Sequence, residues 1–135
     1  EQGFGRIVNT GSIVGRVPVP YQAVYAASKS AVISMTESLQ YELEVEGLSF
    51  GVICPGNVRT AIFGSLAPPP GSISVEDAME IIFQELEKKT LIIILPDEVR
   101  EYDRMYREDR AGFDQFARNL AAERRENYRT KGTYY

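Results

Sequence analysis

Three short, apolar and largely β-branched runs constrain this chain more than anything else in it: Arg6-Ile7-Val8-Asn9, Phe50-Gly51-Val52-Ile53-Cys54 and Leu91-Ile92-Ile93-Ile94-Leu95. Each reads as a buried strand, the first ended by Thr10-Gly11-Ser12 and the second by Pro55-Gly56. Long stretches of another character separate them. Pro18 and Pro20 make residues 15–22 a loop, and from residue 23 to residue 46 neither Pro nor Gly interrupts. Ala27, Ala31, Met35, Leu39 and Leu43 recur there every four residues, which predicts a long helix burying that stripe, with Gly47 as its stop. Residues 61–74 are rich in Pro, Gly and Ser and read as a mobile loop. Ser74 can then cap a helix over about residues 75–88, with Asp77 near its positive end. Strands alternating with helices through crossovers this long indicate a parallel sheet, because parallel strands need such connections. The expected fold is therefore α/β with a doubly wound parallel sheet. Three strands leave two open edges, so the sequence reads as part of a larger sheet.

The character changes at Asp97. Residues 97–135 hold nine acidic and nine basic side chains, nearly alternating, among which Tyr102, Met105, Tyr106, Phe113, Phe116 and Leu120 fall at near-helical spacing. One or two exposed amphipathic helices, lying against the domain or a partner, are expected, with a disordered tail as the alternative. The expected division is residues 1–96 as half of a domain and residues 97–135 as a charged helical tail.

Composition removes several classes of function. A length of 135 residues is one domain or part of one, and the net charge of −4 implies no nucleic-acid partner. The longest apolar run is five residues, against about 20 needed to span a bilayer, so no membrane partner is expected. The first residues, Glu-Gln-Gly-Phe-Gly, carry no signal pattern. A single cysteine, Cys54, excludes an internal disulfide and suits a reducing compartment, so the expected location is cytoplasmic. There is no histidine, which removes Ser-His-Asp and Cys-His triads and any His-ligated metal site. Proton chemistry is left to carboxylates, Lys, Tyr or Cys.

One constellation supplies such groups. Ser12 ends the first strand, Tyr25 follows 13 residues later and Lys29 four after that, at the start of the long helix. Helical residues four apart lie about 40° apart around the axis, so Tyr25 and Lys29 share a face, with Ala27 and Ala31 on the far side of the turn and available for packing. A free tyrosine has a pKa of about 10, and a neighbouring ammonium favours the phenolate. Such a tyrosine can give a proton to a carbonyl oxygen or take one from an alcohol. Ser12 stands beyond a strand's carboxyl end, where open α/β sheets place their sites, and its hydroxyl can bond the same oxygen. Taken singly, each residue has an ordinary reading: a packing tyrosine, a turn serine. Their order and context are what is specific.

The runs Asn9-Thr10-Gly11-Ser12, Tyr25-Ala26-Ala27-Ser28-Lys29 and Pro55-Gly56-Asn57-Val58-Arg59-Thr60 resemble the short-chain dehydrogenase/reductase family, over residue 5 to about residue 95. The resemblance implies a Rossmann-like fold, of which this chain holds the C-terminal, catalytic half, and hydride transfer between NAD or NADP and a small-molecule carbonyl or secondary alcohol. It implies that Tyr25 is the acid/base, that Lys29 lowers its pKa and holds the nicotinamide ribose, and that Ser12 polarises the carbonyl. Pro55, Gly56, Asn57 and Val58 would line the nicotinamide, Thr60 would bond its carboxamide or a phosphate, and residues 61–74 would cover the substrate. The helix bearing Tyr25 is rich in small residues, and the resemblance implies an interface there between copies of the chain, with ordinary packing onto the sheet as the alternative.

The family's Gly-rich phosphate turn, its NAD-or-NADP selector and its catalytic Asn lie upstream of the matching segment. Thr10-Gly11-Ser12-Ile13-Val14-Gly15 imitates the phosphate turn, but Pro18 and Pro20 block the helix that must follow one. The expectation is a catalytic half that needs its nucleotide-binding half, in the same polypeptide or a partner, and shows little activity alone. The alternative is a non-catalytic interaction module derived from the family. Cys54 reads as a core residue, and the pairs Glu85/Glu87 and Glu108/Asp109 read as solvated faces rather than a metal site.

Overall fold

The computed structural model describes residues 3–134; Glu1, Gln2 and Tyr135, at the ends of the two expected segments, lie outside the described residues. Three strands form one parallel sheet in the order β1 (Gly5–Thr10), β2 (Leu48–Pro55), β3 (Ile92–Leu95). The register sets Gly5 against Leu48 and Thr10 against Ile53, then Val52 against Ile92 and Pro55 against Leu95. Parallel strands in this register bring all three carboxyl ends to one edge, so the segments that follow Thr10, Pro55 and Leu95 emerge side by side.

Alternate residues of the strands feed two cores. Val52 and Cys54, with Ile92 and Ile94, pack against Ile33 of helix α1 (Ala23–Leu43). Ile53, Ile93 and Leu95 pack with Val58 against Ala78 of helix α2 (Val75–Glu87). Successive strand side chains point to opposite faces, so the helices cover both sides of the sheet at β2 and β3, as in a doubly wound fold. The ends of α2 follow from local chemistry: the Ser74 hydroxyl accepts from the Asp77 amide at 3.0 Å and donates to its carboxylate at 2.6 Å. At its other end Arg6, on β1, donates to the carbonyls of Leu86 at 2.6 Å and Thr90 at 3.0 Å. Gly47 closes the turn after α1 at φ +80°, a conformation that suits a residue without a Cβ.

The buried stripe of α1 differs from the one expected. Ala27 and Ala31 are exposed and Met35 is half exposed, while Ile33 and Thr36 are buried and Val32 packs beside them. The reason is geometric. A strict four-residue step turns the helix about 400°, so Ala27 to Leu43 drifts through about 160° and cannot keep one face. The buried side instead carries Ile33 and Thr36, three apart, with the Thr36 hydroxyl accepting from the Asn9 side-chain amide at 3.0 Å and donating to the Val32 carbonyl at 2.7 Å.

Beyond β3 the charged segment forms two helices, α3 (Asp97–Glu108) and α4 (Arg110–Lys131). Both pack onto the loop that follows β1. Phe113 of α4 is buried against Ile13 and Val17, with Val99, Met105, Tyr106 and Phe116 around them. No helix among the described residues is long and apolar enough to cross a membrane.

Candidate active site

The site is assembled at the carboxyl edge of the sheet. Chain leaving β1 turns at once through a short 3-10 turn, Ile13–Gly15, then loops back to begin α1. Ser12 caps that turn, its Oγ accepting from the Val14 amide at 3.2 Å, and the residue is buried. Tyr25 lies in the first turn of α1 and stays 45% exposed, so its phenol is open to a ligand. Lys29 follows one helical turn later. Its ammonium donates to the Thr10 carbonyl at 3.0 Å and stands 5.8 Å from the centre of the Tyr25 ring. That bond ties the helix to the end of β1, two residues before Ser12. The three expected side chains are thereby gathered on the same edge.

A tight contact holds this geometry. A Cβ added at Gly15 would stand 2.7 Å from the Lys29 carbonyl carbon and 2.8 Å from Ile33 Cδ1. Ser30 Oγ also donates to the Gly15 carbonyl at 2.8 Å. The Ser12 turn and the Lys29 turn of α1 therefore touch backbone to backbone.

The second segment leaves β2 beside them. Pro55 ends β2 opposite Leu95, and the Gly56 amide donates to the Leu95 carbonyl at 2.7 Å. Gly56 faces Val99 of α3 so closely that a Cβ would come within 2.7 Å of it. Asn57 is exposed, and its carbonyl accepts from the Ile73 amide at 3.2 Å. Val58 bridges Ile73 and packs into the core beneath α2. Thr60 is exposed and caps the 3-10 turn Ala61–Phe63, its Oγ accepting from the Ile62 amide at 3.4 Å. The Val58–Ile73 bridge pins the base of the loop expected to cover a substrate, so that loop rises from a fixed point.

Thr10-Gly11-Ser12-Ile13-Val14-Gly15 runs into a three-residue 3-10 turn, not into the long helix whose N-terminus a phosphate turn presents. Cys54 is fully buried, and burial pushes its thiol up to about 11, which keeps it neutral and unreactive near pH 7. Glu85 is engaged by Lys88 at 2.8 Å and by the Thr90 hydroxyl at 2.6 Å, which hold its carboxyl below the usual range.

Two residues near the site escape a reading of the sequence. Arg16 and Asp103 form a bidentate ion pair across 87 positions. Nothing local marks either one; the sole hint is that Arg16 stands alone as a charge in the loop after Ser12.

Comparison with known proteins agrees with this fold. A family model described as short chain dehydrogenase matches residues 1–70. A 3-oxoacyl-acyl-carrier-protein reductase of Rickettsia prowazekii is 42% identical over 60 residues, covering 44% of this chain and 25% of that protein. A Xanthobacter autotrophicus protein named inactive 2-(S)-hydroxypropyl-CoM dehydrogenase 2 is 41% identical over 64 residues, covering 47% of this chain and 28% of that one. Among solved structures, a short chain dehydrogenase from Burkholderia cenocepacia in complex with NADP superposes with a TM-score of 0.75 at 27% identity, covering 84% of this chain and 47% of that one. The matched part of the chain thus spans about a quarter of the length of these curated relatives and about half of the structural neighbour.

Proposed function

Because the chain belongs to the short-chain dehydrogenase family, we propose that it carries the catalytic half of an NAD(P)-dependent oxidoreductase acting on a small-molecule ketone or secondary alcohol. The observation that carries this reading is the Lys29–Thr10 bond, which puts an ammonium beside the Tyr25 ring on the edge where Ser12 stands.

The residues present fit one end of the cofactor. Lys29 keeps donors beyond the one given to Thr10, and the half-buried Pro55 and Gly56 with the exposed Asn57 border the same edge, with Val58 anchored behind them. Tyr25 and Lys29 would hold the nicotinamide ribose, Pro55 to Val58 would line the ring, and the Thr60 hydroxyl would reach the carboxamide or a phosphate by giving up its weak cap. The diphosphate end has no turn of the required kind among the described residues, so we assign it to a nucleotide-binding half, in the same polypeptide or a partner. Bound nicotinamide supplies or accepts the hydride. In reduction the Tyr25 phenol gives its proton to the carbonyl oxygen as the carbon is reduced, and in oxidation the phenolate takes that proton back. The Ser12 hydroxyl donates a hydrogen bond to the same oxygen as negative charge builds on it. The Lys29 ammonium stabilises the phenolate left behind.

The test is Tyr25→Phe in the protein with its nucleotide-binding half, assayed by NADH and NADPH oxidation against a panel of ketones. Turnover should fall about a hundredfold to ten-thousandfold, the usual contribution of a positioned acid. Unchanged turnover would remove Tyr25 from the mechanism. A second reading, a non-catalytic interaction module, draws on the relative whose name calls it inactive. It predicts no turnover in the wild type either.

A further inference from the structure

The turn that carries Ser12 is gripped from the far end of the chain. Arg16 Nε donates to Asp103 Oδ1 at 3.1 Å and Nη2 to Oδ2 at 2.9 Å, two parallel bonds of the kind only a guanidinium can make with a carboxylate. Both side chains are 12% exposed. Arg107, one turn further along α3, donates to the same Oδ2 at 3.1 Å. Burial pushes the Asp103 carboxyl up, but the hydrogen bonds and charges of Arg16 and Arg107 outweigh it and hold it below the usual carboxylate range.

A buried ion pair is a poor device for stability alone, since well-packed apolar side chains serve as well. What a two-pronged pair supplies is position. Arg16 closes the turn: its amide bonds the Ile13 carbonyl at 2.8 Å, and the Gly15 amide bonds the Ser12 carbonyl at 3.0 Å. Its neighbour Gly15 lies hard against Lys29. The remainder of the loop, through Pro18 and Pro20, is also held by α4, where Arg124 donates to the Pro20 carbonyl at 2.7 Å.

We propose that Asp103 is a positioning residue for the reaction: through Arg16 it presses the Ile13–Gly15 turn onto α1 and so sets the Ser12 hydroxyl in register with Tyr25. This rests on the functional reading above, and it gives the charged C-terminal segment a task within the active site.

The experiment compares Asp103→Asn, which keeps shape but loses charge, and Arg16→Lys, which keeps charge but loses the fork, in the complete enzyme. Each should lower kcat about tenfold with the ketone KM within about twofold, since a hydroxyl that acts in the transition state costs kcat when misplaced. In a Ser12→Ala background neither should lower kcat further, because residues acting through one group are not additive. A purely structural role would lower Tm and leave kcat at wild type, or would multiply with Ser12→Ala; either result overturns the proposal. If Asp103→Asn does not fold, Arg16→Lys alone decides. If the wild type shows no Tyr25-dependent turnover, the functional reading has failed, and amide hydrogen exchange across residues 13–17 decides the clamp. Exchange at least tenfold faster in Arg16→Lys supports it, and unchanged exchange overturns it.

Discussion

A missing methyl group at Gly15 holds the site together at the residue scale. The turn after β1 and the Lys29 turn of α1 approach so closely that any side chain there must push against backbone, which cannot yield as a flexible side chain would. Gly15→Ala should therefore cost about 1–3 kcal/mol, the usual range for overpacking. The same shift should move Lys29 away from the Thr10 carbonyl. Urea unfolding gives the first quantity, and a loss of nucleotide affinity alongside it in the complete protein gives the second. A wild-type midpoint would show that the contact has slack. Residues of this kind explain what the sequence made legible. Ser12, Tyr25 and Lys29 lie within 18 positions of one another, so a strand end and one helical turn were enough to bring them together on paper. Cys54 was equally legible, as a cysteine inside an apolar run. Arg16 and Asp103 were not, because their pairing depends on where the third strand delivers α3, and Asp103 is one of nine similar acids in its segment.

Elements were legible where their signals were chemical and blurred where they were only periodic. The Ser74 cap fixed a helix start from a single residue, while Gly47 closes the 3-10 turn Glu44–Glu46 that follows α1 rather than α1 itself, which ends at Leu43. The face of α1 failed because apolar residues at strict fours were read as one stripe, whereas the sheet selects the side carrying Ile33 and Thr36. The sequence placed the other end of α2 but not the partner of that end. Its carbonyls are met by Arg6, which reaches from β1 across Gly51, where a Cβ would stand 3.2 Å from the guanidinium. A cation at a helix C-terminus is favourable both as a donor and against the helix dipole. The Nε of Arg6 is buried without a partner, which offsets part of that gain. Arg6→Ala should accordingly destabilise by about 1–2 kcal/mol. Thermal unfolding checks it, and faster amide exchange in the last turn of α2, with none in α1, would place the effect at that helix end.

For the whole molecule, the sheet is open where its first strand lies. Ile7 and Val8 point to opposite faces of β1, yet they are 48% and 36% exposed. Apolar residues on both faces are the mark of a strand made to be covered on each side, which fits a chain spanning about half of its structural neighbour. Helices α3 and α4 instead close the carboxyl edge over the loop that follows β1, and the Asp103 cluster is their polar attachment to the turn that carries Ser12. That attachment has a pH signature. The groups facing Asp103 are the guanidiniums of Arg16 and Arg107, so the carboxylate is the member of this cluster that changes charge in acid. Its folded pKa lies below the ordinary aspartate value of 3.8. A depressed carboxylate binds protons more readily in the unfolded chain. The stability it contributes is therefore complete above the unfolded value and is lost as pH falls through the folded one. Asp103→Asn removes that contribution at neutral pH, where breaking such a pair costs about 3 kcal/mol. The gap between wild type and Asp103→Asn, read from urea midpoints, should hold steady from pH 7 to about pH 5 and close progressively below about pH 4. Glu85, whose carboxyl is also depressed, titrates in both proteins and cancels from the difference. A gap unchanged at pH 3 would mean that shape and hydrogen bonding, not the charge of Asp103, fasten the C-terminal helices to the Ser12 turn.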